Sequence, residues 1–167
     1  GGSVEAEAIE IFTAKKKGLP ISIPDNIYGK EKAKSGDHYA GFIAYSYGNK
    51  ALRSYLTAEL TAPLEKDAIY CVKYYVSLAD KSKYAVNNLS ALMTKKVPET
   101  AEKEDIILDK STDISGLVFH PTNKKFDARY NWEPMCGVYK AKGKEKFLVI
   151  GNFKDNKETK YSKIKKL

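Results

Sequence analysis

A chain of 167 residues, 43% hydrophobic and 30% charged, is long enough for one packed domain and lies outside the composition ranges of disordered, collagenous and membrane chains. Its longest apolar runs, Ile106-Ile107-Leu108 and Phe147-Leu148-Val149-Ile150, fall far short of the roughly 20 residues of a membrane-spanning helix. The net charge is +8, but residues 154–167 supply half of it, and Arg53 and Arg129 are the only arginines. The guanidinium forks that favour phosphate and base recognition are therefore scarce, and no nucleic-acid partner is expected.

At the start of the chain Gly1-Gly2-Ser3 reads as a tag remnant, and residues 1–20 are expected to be an N-terminal segment with a truncated start. Beyond it, 12 tyrosines mix with Val, Ile and Phe in short runs between Gly, Pro, Asn and Asp clusters, which is strand chemistry. Strands are expected over 39–46, 55–61, 68–78, 85–94, 116–120, 131–141 and 146–153, with turns at 47–50, 63–67, 95–104, 121–123 and 142–144. A short helical turn is expected over 49–53, and an exposed acidic loop over 98–105. Within the third strand Tyr70, Val72, Tyr74, Val76 and Leu78 share one face, expected to be core, while Cys71, Lys73, Tyr75 and Ser77 share a wetter one. Residues 135–141 and 146–153 read as two strands joined by a tight hairpin at Lys142-Gly143-Lys144. The expected architecture is all-β, an antiparallel β-sandwich over 21–153, followed by a basic C-terminal tail over 154–167.

Few residues offer catalytic chemistry. His38 and His120 are the only histidines, one entering a strand and one ending a strand before Pro121, and no nucleophile, zinc, phosphate-loop or dinucleotide motif accompanies them. Glycoside hydrolysis needs two carboxylates across a cleft, for which Asp37, Asp80, Asp113 and Glu133 are the nominal candidates. Asp80, Asp113 and Asp127 could supply oxygens to calcium, but the regular acid spacing of a calcium loop is missing. No catalytic residue, metal or cofactor is therefore expected. Cys71 and Cys136 are either two free, buried thiols or a long-range disulfide, and they form no metal-binding pattern. Asn88-Leu89-Ser90 matches a glycosylation triplet inside an expected strand. Gly41 and Gly151 are better explained by close packing than by ligand approach. Aromatics flanked by polar groups are the best sign of binding, and Tyr45, Tyr47, Tyr130 and Trp132 are the expected ligand-binding set, although a single Trp in a sandwich is more often a core residue.

Several pieces of the chain occur in a telling order. They are Ile23-Pro24-Asp25-Asn26-Ile27-Tyr28-Gly29, Ser35-Gly36, Tyr39-Ala40-Gly41, Arg53-Ser54-Tyr55-Leu56, Leu60, Pro63-Leu64 and Tyr70. Tyr75-Val76-Ser77-Leu78-Ala79-Asp80, Ser82, Tyr84-Ala85, Trp132, Gly137, Tyr139, Ala141, Gly143 and Ile150-Gly151-Asn152-Phe153 complete the series. Together they resemble the jelly-roll module found toward the N-terminus of many OmpA-family envelope proteins and related lipoproteins of Bacteroidetes. The resemblance implies a galactose-binding-like jelly roll, a location in the bacterial envelope, at the outer membrane or outside the cell, and no active-site set. It implies adhesion, scaffolding or assembly contacts with an envelope protein or glycan. Peptidoglycan would be reached only through a domain absent from this chain. A carbohydrate-binding module is the alternative expectation, and a glycan-active hydrolase the third.

Overall fold

The computed structural model describes residues 10–15, 17–99 and 104–165. It is all-β, with no α-helix among those residues. The strands in chain order are β1 (Glu10–Thr13), β2 (Asp25–Asn26), β3 (Gly29–Lys30), β4 (His38–Gly41), β5 (Leu56–Glu59), β6 (Ile69–Val76), β7 (Tyr84–Val86), β8 (Leu89–Thr94), β9 (Leu117–Phe119), β10 (Glu133–Lys140), β11 (Phe147–Asn152) and β12 (Tyr161–Lys163). All strand pairs are antiparallel: a four-stranded sheet in the order β5-β11-β8-β9, and the pairs β1-β4, β2-β3, β6-β10 and β7-β12. The one helical turn among the described residues is a 3-10 turn over Tyr47–Asn49, slightly earlier than the residues expected.

Side-chain alternation sets the packing. In β6, Val72 and Val76 are buried while Cys71, Lys73 and Tyr75 are exposed, as the period of two dictates. Val72 and, on β10, Tyr139 pack against Ala91, Met93 and Val118, so the β6-β10 ribbon lies over β8 and β9. β8 is buried at Leu89, Ser90, Ala91, Leu92 and Met93, which marks it as a central strand covered on both faces. Leu92 points the other way, toward Tyr55, Ile106, Val149 and Phe153. Gly137 allows β10 to approach β9, since a Cβ there would lie 2.5 Å from Val118. Gly41 and Gly151 likewise face ring carbons of Phe12 and Tyr55 at 2.9 and 2.4 Å from a hypothetical Cβ, in keeping with a packing role.

Arg53 fastens the end of β11 to the loops around it. Its guanidinium is buried, donates to the carbonyls of Asn152 (2.9 Å) and Lys154 and to Asn156 Oδ1 (2.7 Å), and sits 3.5 Å from the Asp105 carboxylate. Asp105 in turn accepts the Arg53 backbone N–H at 2.8 Å. The acidic loop is thus anchored at one end, with residues 100–103 outside the described set.

Three expectations are corrected. The Lys142-Gly143-Lys144 turn does not close a hairpin: β10 pairs with β6 while β11 pairs with β5 and β8, so the turn carries the chain from ribbon to sheet. The cause is the next residue, because the buried Glu145 carboxylate accepts the Tyr139 hydroxyl (2.7 Å) and the Lys142 N–H (2.6 Å) and bends the segment away. The expected strand over 85–94 is two strands, broken at Asn87-Asn88, where Asn88 takes a left-handed φ of 62°. Asn88 is also buried and bonded to Asn123 and the Glu158 carbonyl, so the glycosylation triplet does not lie on the surface of the folded chain. Finally, β1 and β12 lie outside residues 21–153 yet pair with β4 and β7 inside them, so the N-terminal segment and the basic tail each contribute a strand to the fold.

Candidate functional site

A groove of about 460 Å³ opens between the β1-β4 and β2-β3 pairs on one side and β6, β7 and the 77–82 segment on the other. Its position follows from the sequence around it. β4 ends after four residues, and residues 42–46 run on outside any strand with their side chains only half-buried. Opposite them, β6 stops at Val76 and the chain turns through 77–82. Gly29 makes the β2-β3 corner possible: its φ is +121°, and a Cβ would fall 2.3 Å from Asp80 Cβ, so only glycine lets the corner sit against this turn.

Two aromatic groups mark the ends of the groove. At one end Tyr39 stacks on Phe12 (5.0 Å, 26°) and meets Trp132 edge-on at 5.5 Å, while Phe12 meets Tyr28 at 6.0 Å. The Trp132 indole N–H donates to the Lys32 carbonyl at 2.8 Å, which fixes the ring and leaves only its hydrocarbon surface for other contacts. At the other end Tyr45 and Tyr84 meet edge-on at 5.7 Å. Tyr161 stacks on Tyr45 (5.4 Å, 28°) and Tyr47 stacks on Tyr84 (5.7 Å, 10°), making a four-tyrosine cluster beside the groove. Burial, followed by the neighbouring phenols, holds the Tyr45 hydroxyl above its ordinary pKa.

Polar groups gather on the rim. Ser77 donates its hydroxyl to Glu31 Oε2, and Tyr130 donates to Asp80 Oδ1. Tyr130 holds a left-handed φ of 58°, an uncommon setting for a bulky residue that costs on the order of 1 kcal/mol and is kept here by the bond to Asp80. That hydrogen bond, with burial and the negative charges of Asp80 and Glu31 behind it, raises the Tyr130 pKa. Asn26 donates to the Tyr39 hydroxyl at 2.8 Å. Burial is the larger influence on Tyr39 and raises its pKa against that bond.

The expected aromatic set therefore meets the groove unequally. Tyr45 and Trp132 line it at opposite ends, Tyr47 joins through Tyr84, and Tyr130 touches it through Asp80. Trp132 is half-buried rather than a core residue. Tyr39, Tyr84, Tyr161 and Glu31 belong to the same surroundings and were not anticipated. Tyr39 and Tyr84 stand in strand-like runs with nothing to separate them from core tyrosines, and Tyr161 hides in a lysine-rich stretch.

The nominal catalytic residues are dispersed. His38 Nε2 lies 3.0 Å from Thr13 Oγ1, and His120 Nδ1 lies 3.0 Å from Thr122 Oγ1 with its ring against Phe126. Asp113 bonds Ser115 and Lys142, and its hydrogen bonds, the Ser115 hydroxyl first, hold its carboxyl down to about 2. Glu133 pairs with Lys124 at 2.6 Å, and neither it nor Asp37 lines the groove. Only Asp80 does, joined there by Glu31. Among the described residues no three His, Cys, Asp or Glu side chains gather in a way that could hold a metal, and Asp80, Asp113 and Asp127 do not converge.

Cys71 and Cys136 are both free, the first exposed and the second partly so, which corrects the reading as buried thiols. Cys71 faces Val138 and Cys136 faces Lys73, making the cysteines diagonal neighbours on the outer face of the ribbon. Sheet geometry separates such neighbours by about 7–8 Å, whereas a disulfide requires Cβ atoms about 3.5–4.5 Å apart. The arrangement is therefore that of two separate thiols. Against this geometry, comparison with known proteins returns no matching family model, no matching curated protein and no matching solved structure.

Proposed function

We propose that the chain is a non-catalytic module of a bacterial cell envelope or surface, a galactose-binding-like jelly-roll sandwich that makes adhesion, scaffolding or assembly contacts through its aromatic groove. The groove carries this reading: ring surface at both ends, a polar rim between them and a concave shape are the ordinary makings of a ligand seat. The resemblance in sequence order supplies the envelope setting. The direct test is binding of the purified chain to outer-membrane sheets isolated from a Bacteroidetes cell. The wild type should be retained saturably, and a Tyr45→Ala, Trp132→Ala variant of unchanged circular dichroism should lose most of that retention; equal retention of both proteins would overturn the reading.

Carbohydrate binding is the second reading, favoured by Trp132, whose only polar atom is already spent on Lys32, so that its remaining surface suits the flat apolar face of a sugar. On a glycan array the wild type should bind and Trp132→Ala should not; no glycan bound by either would sink it. Hydrolysis has less support. Of the carboxylates named as candidates only Asp80 lines the groove, so the expected pair does not face one cleft.

A further inference from the structure

The groove is chemically two-tiered. Its floor is made of Phe42, Ala44, Leu56, Val86, Leu89 and Ile150, all hydrocarbon. Tyr74, which lines the groove with them, has its hydroxyl oxygen closed to solvent with no hydrogen-bond partner, so it does not present a polar contact to the cavity. A free sugar has hydroxyls around most of its ring, and each one pushed onto this floor would lose water without gaining a partner. The floor therefore suits a chain rather than a ring.

The rim asks for the opposite. Glu31 and Asp80 take part in no ion pair among the described residues. Each already accepts an O–H, from Ser77 and Tyr130, which shows the kind of donor their surroundings admit. Lys30 lines the groove beside them, so the rim carries both signs, and the donors that Glu31 and Asp80 already hold are neutral hydroxyls. A neutral, hydroxyl-rich head meets them as a donor, with Trp132 and Tyr39 beside it as ring surface.

We infer that the groove binds a neutral sugar-headed amphiphile of the glycolipid class, the chain on the hydrocarbon floor and the sugar at the Glu31–Asp80 rim. The inference rests on the groove being the binding site and names what it takes. It also fits an envelope setting, where such molecules are at hand.

Because Trp132 is the chain's only tryptophan and lines the groove, its fluorescence reports binding directly. The probes are octyl, decyl and dodecyl maltoside below their critical micelle concentrations, with maltose, dodecanoate and dodecylamine as controls. Affinity should rise along the maltoside series, about fourfold for each methylene that enters the floor. Maltose should bind at least 100-fold more weakly than dodecyl maltoside, and dodecanoate and dodecylamine at least tenfold more weakly. Ala44→Phe, which fills the floor, should abolish the chain-length dependence; Asp80→Asn should weaken the maltosides several-fold without removing that dependence. Both variants are to be checked for an unchanged melting temperature, and Ala44→Leu serves if Ala44→Phe misfolds.

Equal binding of maltose and dodecyl maltoside would overturn the inference and leave carbohydrate binding standing. Equal binding of dodecylamine would overturn the sugar head. If no probe binds while the Tyr45→Ala, Trp132→Ala variant still loses envelope retention, the inference falls and the envelope reading survives; unchanged retention removes the envelope reading instead.

Discussion

Two regions of this molecule are built from the same residue types and end in opposite conditions. Where the β6-β10 ribbon covers β8 and β9, Val72, Ala91, Met93, Val118 and Tyr139 are all buried, Ala91 fully so. Across residues 39–46, Tyr39, Phe42, Ile43, Ala44 and Tyr45 are only half-buried and face a cavity. The difference lies in what closes over each strand. β8 has β11 and β9 as hydrogen-bonded neighbours and hydrocarbon on both faces, whereas β4 has β1 alone and only the two-residue strands β2 and β3 beyond it. An apolar surface left half-open inside an otherwise closed fold is a place to look for function.

The sharpest way to break this contrast is at the closed end. Arg53→Met should remove three hydrogen bonds and an ion pair from a buried cluster, leaving the Asn152 and Lys154 carbonyls only the long 3.4 Å bonds from the Tyr55 and Thr159 hydroxyls. A loss of about 3–5 kcal/mol is expected in urea denaturation, of the size seen when one member of a buried charge pair is removed. Next, Tyr55→Phe strips the acceptor from the buried Ile106 N–H (3.0 Å) and should cost about 1–3 kcal/mol at neutral pH.

Tyr55 also gives the closed region a pH signature. Burial, with the Asp105 charge behind it, pushes its phenol up to about 12 against an ordinary 10. A group whose pKa is raised by folding contributes stability in full below the unfolded value and loses it as pH climbs through the folded one, so thermal stability should decline from about pH 10 toward 12. Tyr74 and Tyr139 are raised as well, both by burial first. Tyr55→Phe should flatten part of the decline; an identical pH profile for wild type and variant would remove Tyr55 from that account.

At the open end the effects should be smaller on stability and larger on binding. Gly29→Ala places a Cβ against Asp80 in a backbone that favours glycine, and should cost about 1–3 kcal/mol while displacing the β2-β3 corner and weakening the groove. Intact ligand binding by a stable Gly29→Ala protein would show that the corner does not shape the site. Smallest of all, Cys71→Ser and Cys136→Ser should each stay within about 0.5 kcal/mol of wild type, with or without reductant, because both thiols sit on the outer face. A reductant-dependent melting temperature in the wild type alone would reveal a bond between them.

The sequence made the closed region legible and the open one only partly so. Long alternating runs such as 69–76 carry their own evidence, since a single register buries every second side chain. β2, β3 and β12 are only two or three residues long; β2 and β3 pair with each other across a two-residue turn, and β12 is held by pairing with the distant β7 rather than by its own chemistry. The same holds at the turn after β10, where local sequence reads as a hairpin and the buried Glu145 carboxylate decides otherwise. The aromatic set was legible as a list of residue types. That Tyr45 and Trp132 face one cavity, and that Glu31 and Asp80 share its rim, depends on residues 31 to 132 coming together and leaves no trace in spacing.

The crossing at residues 142–146 bears on how quickly the fold can form. Because the chain leaves the ribbon for the sheet there, β11 must find β5 and β8, pairing Ile150 with Leu56 and Ala91, and β10 must find β6, pairing Val138 with Cys71. Little of this sheet can be assembled from neighbours in sequence, so loop-closure entropy is lost before most native contacts reward it. Refolding on the scale of milliseconds to seconds is the consequence, together with a stretch of time in which the half-covered residues 39–46 are open to the wrong partner.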